Sequence, residues 1–165
     1  MTVKLVYDMK SCGRCGGSGT YSYCSMYGST CFKCRGHKKV LSAAGAKASK
    51  AVKGFIEANF SVPVEALVPG DRIKIDGLTR TVDAVTNDGV SGYTGPDGAT
   101  VHVPYFSIHF TKPIKSAYGP YTSMSYCKGS KVTKAVSGAD WDAVVAFAST
   151  IKRGVTAVAP ATEAA

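Results

Sequence analysis

The residues of this 165-residue chain best suited to chemistry are cysteines set in a repeated rhythm. Cys12-Gly13-Arg14-Cys15-Gly16-Gly17-Ser18-Gly19 is answered by Cys31-Phe32-Lys33-Cys34-Arg35-Gly36. Each half is a C-x-x-C pair with a glycine two residues beyond its second cysteine, and Gly19 completes C-x-x-C-x-G-x-G in the first. One such pair alone would suit a redox dithiol. Two pairs, with fifteen residues between Cys15 and Cys31, point to one four-thiolate site. The expected occupant is a single structural zinc ion on Cys12, Cys15, Cys31 and Cys34. The glycines fit that chemistry, because a backbone curling round an ion with φ > 0 turns its N–H groups toward sulfur, and glycine does this without steric cost. Thiol–disulfide exchange is the competing chemistry. It needs low-pKa thiols not held by metal, and the glycine behind the second pair favours the metal.

The C-x-x-C-x-G-x-G repeat resembles the cysteine-rich zinc domain of DnaJ-type co-chaperones. The likeness covers Cys12 to Gly36. That family carries four repeats and two zinc ions, so two repeats here imply one ion. Lys38 stands where the last glycine of the second repeat would be. There is no His-Pro-Asp tripeptide and no helical hairpin ahead of the cysteines, so stimulation of a heat-shock ATPase is not implied. One finger at the head of a small basic protein also resembles the DnaJ-finger proteins encoded by bacteriophages, which implies a viral origin and residence in the host cytoplasm.

Charge is unevenly distributed. The formal net charge is +9; residues 1–59 hold ten Lys/Arg against two acids, residues 60–136 eight against six, and residues 137–165 two against three. The cationic excess therefore surrounds the cysteines and the segment after them, and it survives the roughly −2 of a four-thiolate zinc site. Such an excess favours a polyanion, with plain solubility as the bland alternative. Hydrophobic content of 45% is enough for a packed core. The first residues show no basic start followed by an apolar stretch, and no apolar run approaches the roughly 20 residues that span a bilayer. A soluble cytoplasmic protein without membrane contact is expected, its six cysteines serving metal rather than disulfides.

The elements that must position the cysteines follow from periodicity. Val3–Tyr7 alternates loosely as a short strand into the first knuckle. Thr20–Cys24 alternates too, and Gly28 offers a turn, which predicts a zinc-stapled β-hairpin. Residues 43–59 predict a helix with Ala44, Ala48, Val52, Phe55 and Ile56 on one stripe and Lys47, Lys50 and Lys53 opposite, weakened by Gly45 and Gly54. Beyond residue 62, Pro69-Gly70-Asp71 introduces Arg72–Ile75, and Asp76-Gly77 reads as a hairpin turn. Asn87-Asp88-Gly89 and Asp97-Gly98 read as further turns. Strands are expected around His102, around His109, over Tyr121–Tyr126 and over Lys131–Val136. This "Pro-Gly-Asp-Arg-hydrophobic" entry resembles the first strands of small bent barrels such as KOW-type modules. Ser137-Gly138-Ala139-Asp140 matches a capping box ahead of a helix that carries Trp141 and ends at Lys152-Arg153-Gly154.

The predicted fold class is α+β. A four-cysteine zinc module (residues 1–40) leads through a basic linking helix (41–60) to a small antiparallel β-barrel-like domain closed by a C-terminal helix (61–154), with a flexible tail (155–165). Functionally, the expectation is a non-enzymatic protein that binds DNA or RNA. Arg14, Lys33, Arg35, Lys38 and Lys39 would meet phosphates, and Tyr21 and Tyr23 would stack on bases. The structural alternative for those rings is pairing across the hairpin, together with Tyr27 and Phe32. Cys24 reads as a small buried or half-exposed thiol and Cys127 as structural, His37 as a solvent-facing or phosphate-facing residue, and His102 and His109 as ordinary strand residues; no P-loop, dinucleotide fingerprint or catalytic triad is legible. A chaperone-like or host-protein-docking module built on the DnaJ-like domain is the alternative function.

Overall fold

The computed structural model describes residues 3–159 except Asp76, Gly95 and residues 115–118. Asp76 of the expected Asp76-Gly77 turn, the tail from residue 160, and the side chains of Cys24 and Tyr27 lie outside the described set. The strands are β1 (Lys4–Tyr7), β2 (Met9–Ser11), β3 (Lys39–Leu41), β4 (Ser61–Pro63), β5 (Arg72–Ile75), β6 (Leu78–Thr94), β7 (Thr100–Ile114), β8 (Tyr121–Cys127), β9 (Lys131–Thr133) and β10 (Val155–Val158). The α-helices are α1 (Ala43–Phe60) and α2 (Ala139–Ser149). The chain forms two compact units, Met1–Phe55 with Ser137–Ala165, and Ile56–Val136. No helix among the described residues is long and apolar enough to cross a membrane.

In the first unit β1 pairs antiparallel with β10 from Lys4↔Val158 to Tyr7↔Val155. β2 and β3 pair from Met9↔Leu41 to Ser11↔Lys39, closing the neck of the loop that bears the cysteines. The hairpin expected between the knuckles is not formed. Ser22–Tyr27 is a 3₁₀ turn, and only an isolated bridge, Thr20↔Thr30, remains of the ladder. The reason is local: the Tyr21 N–H bonds the Ser29 carbonyl at 2.8 Å, and Ser22–Tyr27 coils between them. Too little chain remains for two facing strands.

Helix α1 buries Ala48 and Val52, half-buries Ala44, Phe55 and Ile56, and exposes Lys47, Lys50 and Lys53, as its periodicity predicts. Gly45 weakens helical propensity but has a packing reason. A Cβ there would strike the Asp8 carbonyl, which also accepts the Ser42 N–H at 2.9 Å. The Ser42 hydroxyl caps the helix by accepting the Gly45 N–H at 3.0 Å.

Helix α2 differs from expectation at both ends. Its N-cap is Gly138 with φ 58 and no side-chain cap bond, so the Ser137 capping box is not made. The helix stops at Ser149, where the Thr150 hydroxyl and N–H both turn back to the Phe147 carbonyl (2.7 and 3.0 Å). Lys152, Arg153 and Gly154 therefore lie beyond it. The helix belongs to the first unit and makes contacts inside it. The Trp141 Nε1 donates to the Val3 carbonyl at 2.7 Å, and Phe147 stacks on Phe55 at 4.3 Å between centroids.

The second unit is a curled four-stranded antiparallel sheet in the order β5-β6-β7-β8, a half-barrel rather than a closed barrel, with β4 and β9 as a separate pair. Its core gathers Val64, Leu67, Ile73, Ile75, Val82, Ile108, Phe110, Ile114 and Val132. Asn87-Asp88-Gly89 is not a turn. It lies inside β6, where the register shifts between Asn87 and Gly89, because an Asx-Gly pair can supply the positive φ (104° at Gly89) for a bulge as well as for a hairpin. His102 and His109 consequently share the single strand β7. Beyond the bulge the ribbon is two-stranded, and the described side chains from Thr86 to Thr94 are exposed.

Candidate metal centre

The neck formed by β2 and β3 brings the two knuckles together. The Sγ atoms of Cys12, Cys15, Cys31 and Cys34 all lie within 4.8 Å of one another. Cys12 and Cys31 are 3.9 Å apart and Cys15 and Cys34 3.7 Å. A tetrahedral ion with metal–sulfur bonds of about 2.3 Å needs sulfur–sulfur edges of about 3.8 Å, so the cluster could hold a metal ion. Cys12 and Cys31 are wholly buried and Cys34 nearly so. Four soft donors in this arrangement suit zinc or iron.

The knuckles interlock with approximate twofold symmetry. The Cys31 N–H donates to the Gly19 carbonyl at 3.0 Å, and the Cys12 N–H donates to the Lys38 carbonyl at 2.9 Å. Gly19 and Lys38 stand at the same place, seven residues after the first cysteine of each repeat. The equivalence extends to the sulfurs: the N–H groups of Gly17 and Gly19 face Cys15, and those of Gly36 and Lys38 face Cys34. Lys38 does this with φ 67, and Gly19 with φ 87. A lysine thus takes up the left-handed conformation that the motif reserves for glycine, at a cost of about 1–2 kcal/mol. Gly19 has no such freedom to change, since a Cβ there would lie 2.8 Å from the Gly36 carbonyl.

The amides bias the thiols. Burial works against ionisation of Cys15, but the Gly19 and Gly17 N–H groups outweigh it and bring the thiol down to about 6. Burial dominates at Cys34 and pushes it up to about 11. Cys12 is held below the ordinary thiol range, chiefly by the backbone N–H of Cys15. His37 is exposed and does not enter the cluster.

The expected phosphate-contacting and stacking residues separate into two groups. The Arg14 guanidinium lies over the rings of Tyr21 (4.9 Å) and Phe32 (5.8 Å), so it is engaged with aromatic faces. Tyr23 lies tilted by 37° against Tyr21 at 5.5 Å between centroids and is 86% exposed. Lys33, Arg35 and Lys39 instead line one concavity of ≈ 600 Å³ floored by Val40, Leu41 and Ala43. The exposed Lys38 is not among its lining residues.

Sequence reasoning missed Lys10, which completes that concavity from β2. The missed signal is the pairing Lys10↔Val40, invisible until β2 and β3 are known to be partners. It also missed a polar network in the second unit. The Thr86 hydroxyl donates to Asp88 at 2.6 Å and lies 3.1 Å from His109 Nε2, while the Ser107 and Ser125 hydroxyls are 2.9 Å apart. The hydroxyls of Ser107 and Thr86 hold the Asp88 carboxyl below the usual range. Cross-strand register, Thr86↔Ser107 and Ser107↔Ser125, brings these groups together. Compared with protein-family models, with curated proteins and with solved structures, the chain finds no match.

Proposed function

We propose that this chain is a non-enzymatic, zinc-stapled protein that binds nucleic acid through the basic surface of its first unit. The observation that carries the reading is the shallow concavity beside Cys34, which Lys10, Lys33, Arg35 and Lys39 all line without a carboxylate among its lining residues. No ion pair involves any of the four among the described residues. Cations that are neither neutralised nor scattered are what a phosphate backbone meets. Tyr23, the outer ring of the Arg14–Tyr21–Tyr23 cluster, is exposed and offers a surface for a base, which suits single-stranded DNA or RNA. Zinc is the metal we assign, because four thiolates close its coordination sphere and leave no position for water or substrate. A closed site of this kind supports a structural role for the metal. Viral encoding and the host cytoplasm rest on the likeness to phage DnaJ-finger proteins.

The test is binding of the zinc-loaded protein to labelled single-stranded DNA, duplex DNA and RNA across a salt series. Substituting Lys10, Lys33, Arg35 and Lys39 by alanine together should flatten the slope of log K against log salt by about 3 on a single strand, near 0.7 for each phosphate no longer neutralised. Absence of binding to all three polymers at low salt overturns the reading.

One observation favours a second reading. Tyr23, Met26 and Phe32 are exposed at 86%, 91% and 51% beside the cysteine cluster. Such apolar exposure suits capture of unfolded polypeptide or a host protein, as in the resembled co-chaperone domain. Binding to a reduced, unfolded protein that tolerates salt and is lost in Met26→Ser with Phe32→Ser would support it.

A further inference from the structure

The first unit carries a second cationic recess, separate from the one beside Cys34. Lys47 on α1 and Lys152 and Arg153 after α2 surround a concavity of ≈ 560 Å³ whose floor is formed by Ala44, Ala48 and Ile151. No acid is among its lining residues, and among the described residues none of the three cations is ion-paired. Asp140 and Asp142, the described acids of the neighbouring helix, sit in its first turn at the opposite end from Lys152.

The recess is held by backbone rather than by flexible side chains. The Asp8 N–H donates to the Gly154 carbonyl at 3.0 Å, and the Ile151 N–H to the Ala148 carbonyl at 3.1 Å. Gly154, with φ 97, is packed so closely on α1 that a Cβ would collide with the Ala44 carbonyl. Lys152 and Arg153 are thus fixed between two anchored residues, against a helix face of small side chains. Ala44, Ala48 and Ala51 carry nothing beyond Cβ, so the α1 side of the recess is lined by small side chains, with three cationic residues among the rest of its lining.

Both recesses border the first turns of α1, one touching Ala43 and Ala46 and the other Ala44, Lys47, Ala48 and Ala51. At 100° per residue these two sets lie on adjacent faces of one helix about 10–12 Å across. Successive phosphates of an extended strand can follow that path. Between them the recesses collect seven of the twelve Lys/Arg in this unit.

We propose that the recess of Lys47, Lys152 and Arg153 is a second phosphate-backbone seat, occupied by the same nucleic-acid strand that binds beside Cys34. The inference rests on the nucleic-acid reading and extends it by setting the length of strand engaged. A short strand fills the first seat alone, and a longer one crosses α1 into the second.

The experiment uses the full chain loaded with zinc and labelled oligothymidylates of about 3 and about 20 nucleotides, lengths that bracket the span of ordinary single-strand sites; the shorter cannot cross the helix and the longer can. The variant Lys47→Ala/Lys152→Ala/Arg153→Ala is compared with Lys128→Ala/Lys131→Ala, a control in the other unit, with zinc content and circular dichroism checked for each. The long strand should lose about 2 from its salt slope in the triple variant, and the short strand should bind as it does to the unchanged protein. Equal slopes for the triple variant and the control on the long strand overturn the second seat while leaving the first intact. An unchanged protein that binds neither strand overturns the nucleic-acid reading and this extension with it. Equal loss on both strands overturns the assignment of length, because the recess would then belong to the first seat.

Discussion

The two units of this protein solve the problem of staying folded in different ways. The second buries Ile73, Ile75, Ile108, Phe110 and Ile114 with smaller aliphatics in one continuous core, and its formal charge is nearly balanced, eight Lys/Arg against seven acids. The first buries mainly small side chains, among them Ala48, Val52, Val144, Ala148 and three of the four clustered cysteines, and it carries twelve Lys/Arg against four acids. A unit with few large apolar groups and strong self-repulsion needs another source of cohesion. Four convergent sulfurs supply a place for one. The same unit then has its cationic surface free for a partner, because holding the fold together does not require those charges to be paired.

The sharpest way to break the comparison is to deny the cysteine cluster the metal proposed for it. Chelation, or Cys31→Ser, should unfold residues 9–41, since apparent binding energies in small structural zinc sites reach about 10–16 kcal/mol. Amide exchange should lose protection there and retain it in β5–β8. Simultaneous loss in both units would deny the division. The mirror experiment is Ile108→Ala. Ile108 is fully buried, so the β-unit should lose about 2–5 kcal/mol in denaturant melts with one metal per chain unchanged by elemental analysis.

Smaller effects sharpen the comparison within the metal centre. Lys38→Gly should stabilise the first unit by about 1 kcal/mol in a thermal melt, because φ 67 then carries no steric cost. Gly19→Ala should instead weaken metal retention in a competition with a chromophoric chelator, since its Cβ meets the Gly36 carbonyl. Equal responses at the two positions would refute their inequivalence.

The smallest expected effect concerns pH in the second unit. Burial works against the Asp71 carboxylate, but Lys134 at 2.8 Å and the Val68 N–H at 3.1 Å outweigh it and hold its carboxyl below the usual 3.8. A carboxyl depressed on folding stabilises the protein above its unfolded pKa and ceases to do so as pH falls through the folded one. Asp71→Asn should therefore cost about 1 kcal/mol at pH 7. The cost should vanish between roughly pH 4 and pH 2, measured by urea melts along that range.

Much of the candidate centre is legible in the chain. Cysteine spacing is a local property, and the glycines that curl the chain around it stand within four residues of the sulfurs they serve. The α1 stripe is legible for the same reason, since helical periodicity is written in consecutive residues. The hairpin predicted at Thr20–Cys24 does not form because alternation over five residues does not secure a partner strand, and Ser22–Tyr27 coils into a 3₁₀ turn instead. Asn87-Asp88-Gly89 reads as a turn in sequence because turn and bulge ask for the same left-handed residue. The two differ only in how the ladder continues on the facing strand.

By itself, then, the sequence determined the four sulfur donors, the backbone curl behind them, the basic bias of the N-terminal part and the amphipathic face of α1. Each depends on residue type and short spacing. Tertiary structure alone decided that Lys10 joins Lys33, Arg35 and Lys39, that Arg14 turns to aromatic faces, that α2 stays with the first unit, and that Lys152 and Arg153 line one concavity with Lys47. Those outcomes depend on which strands pair and where glycine lets two backbones touch. Such contacts join residues more than a hundred positions apart, as at Gly154 and Ala44, and no local pattern records them.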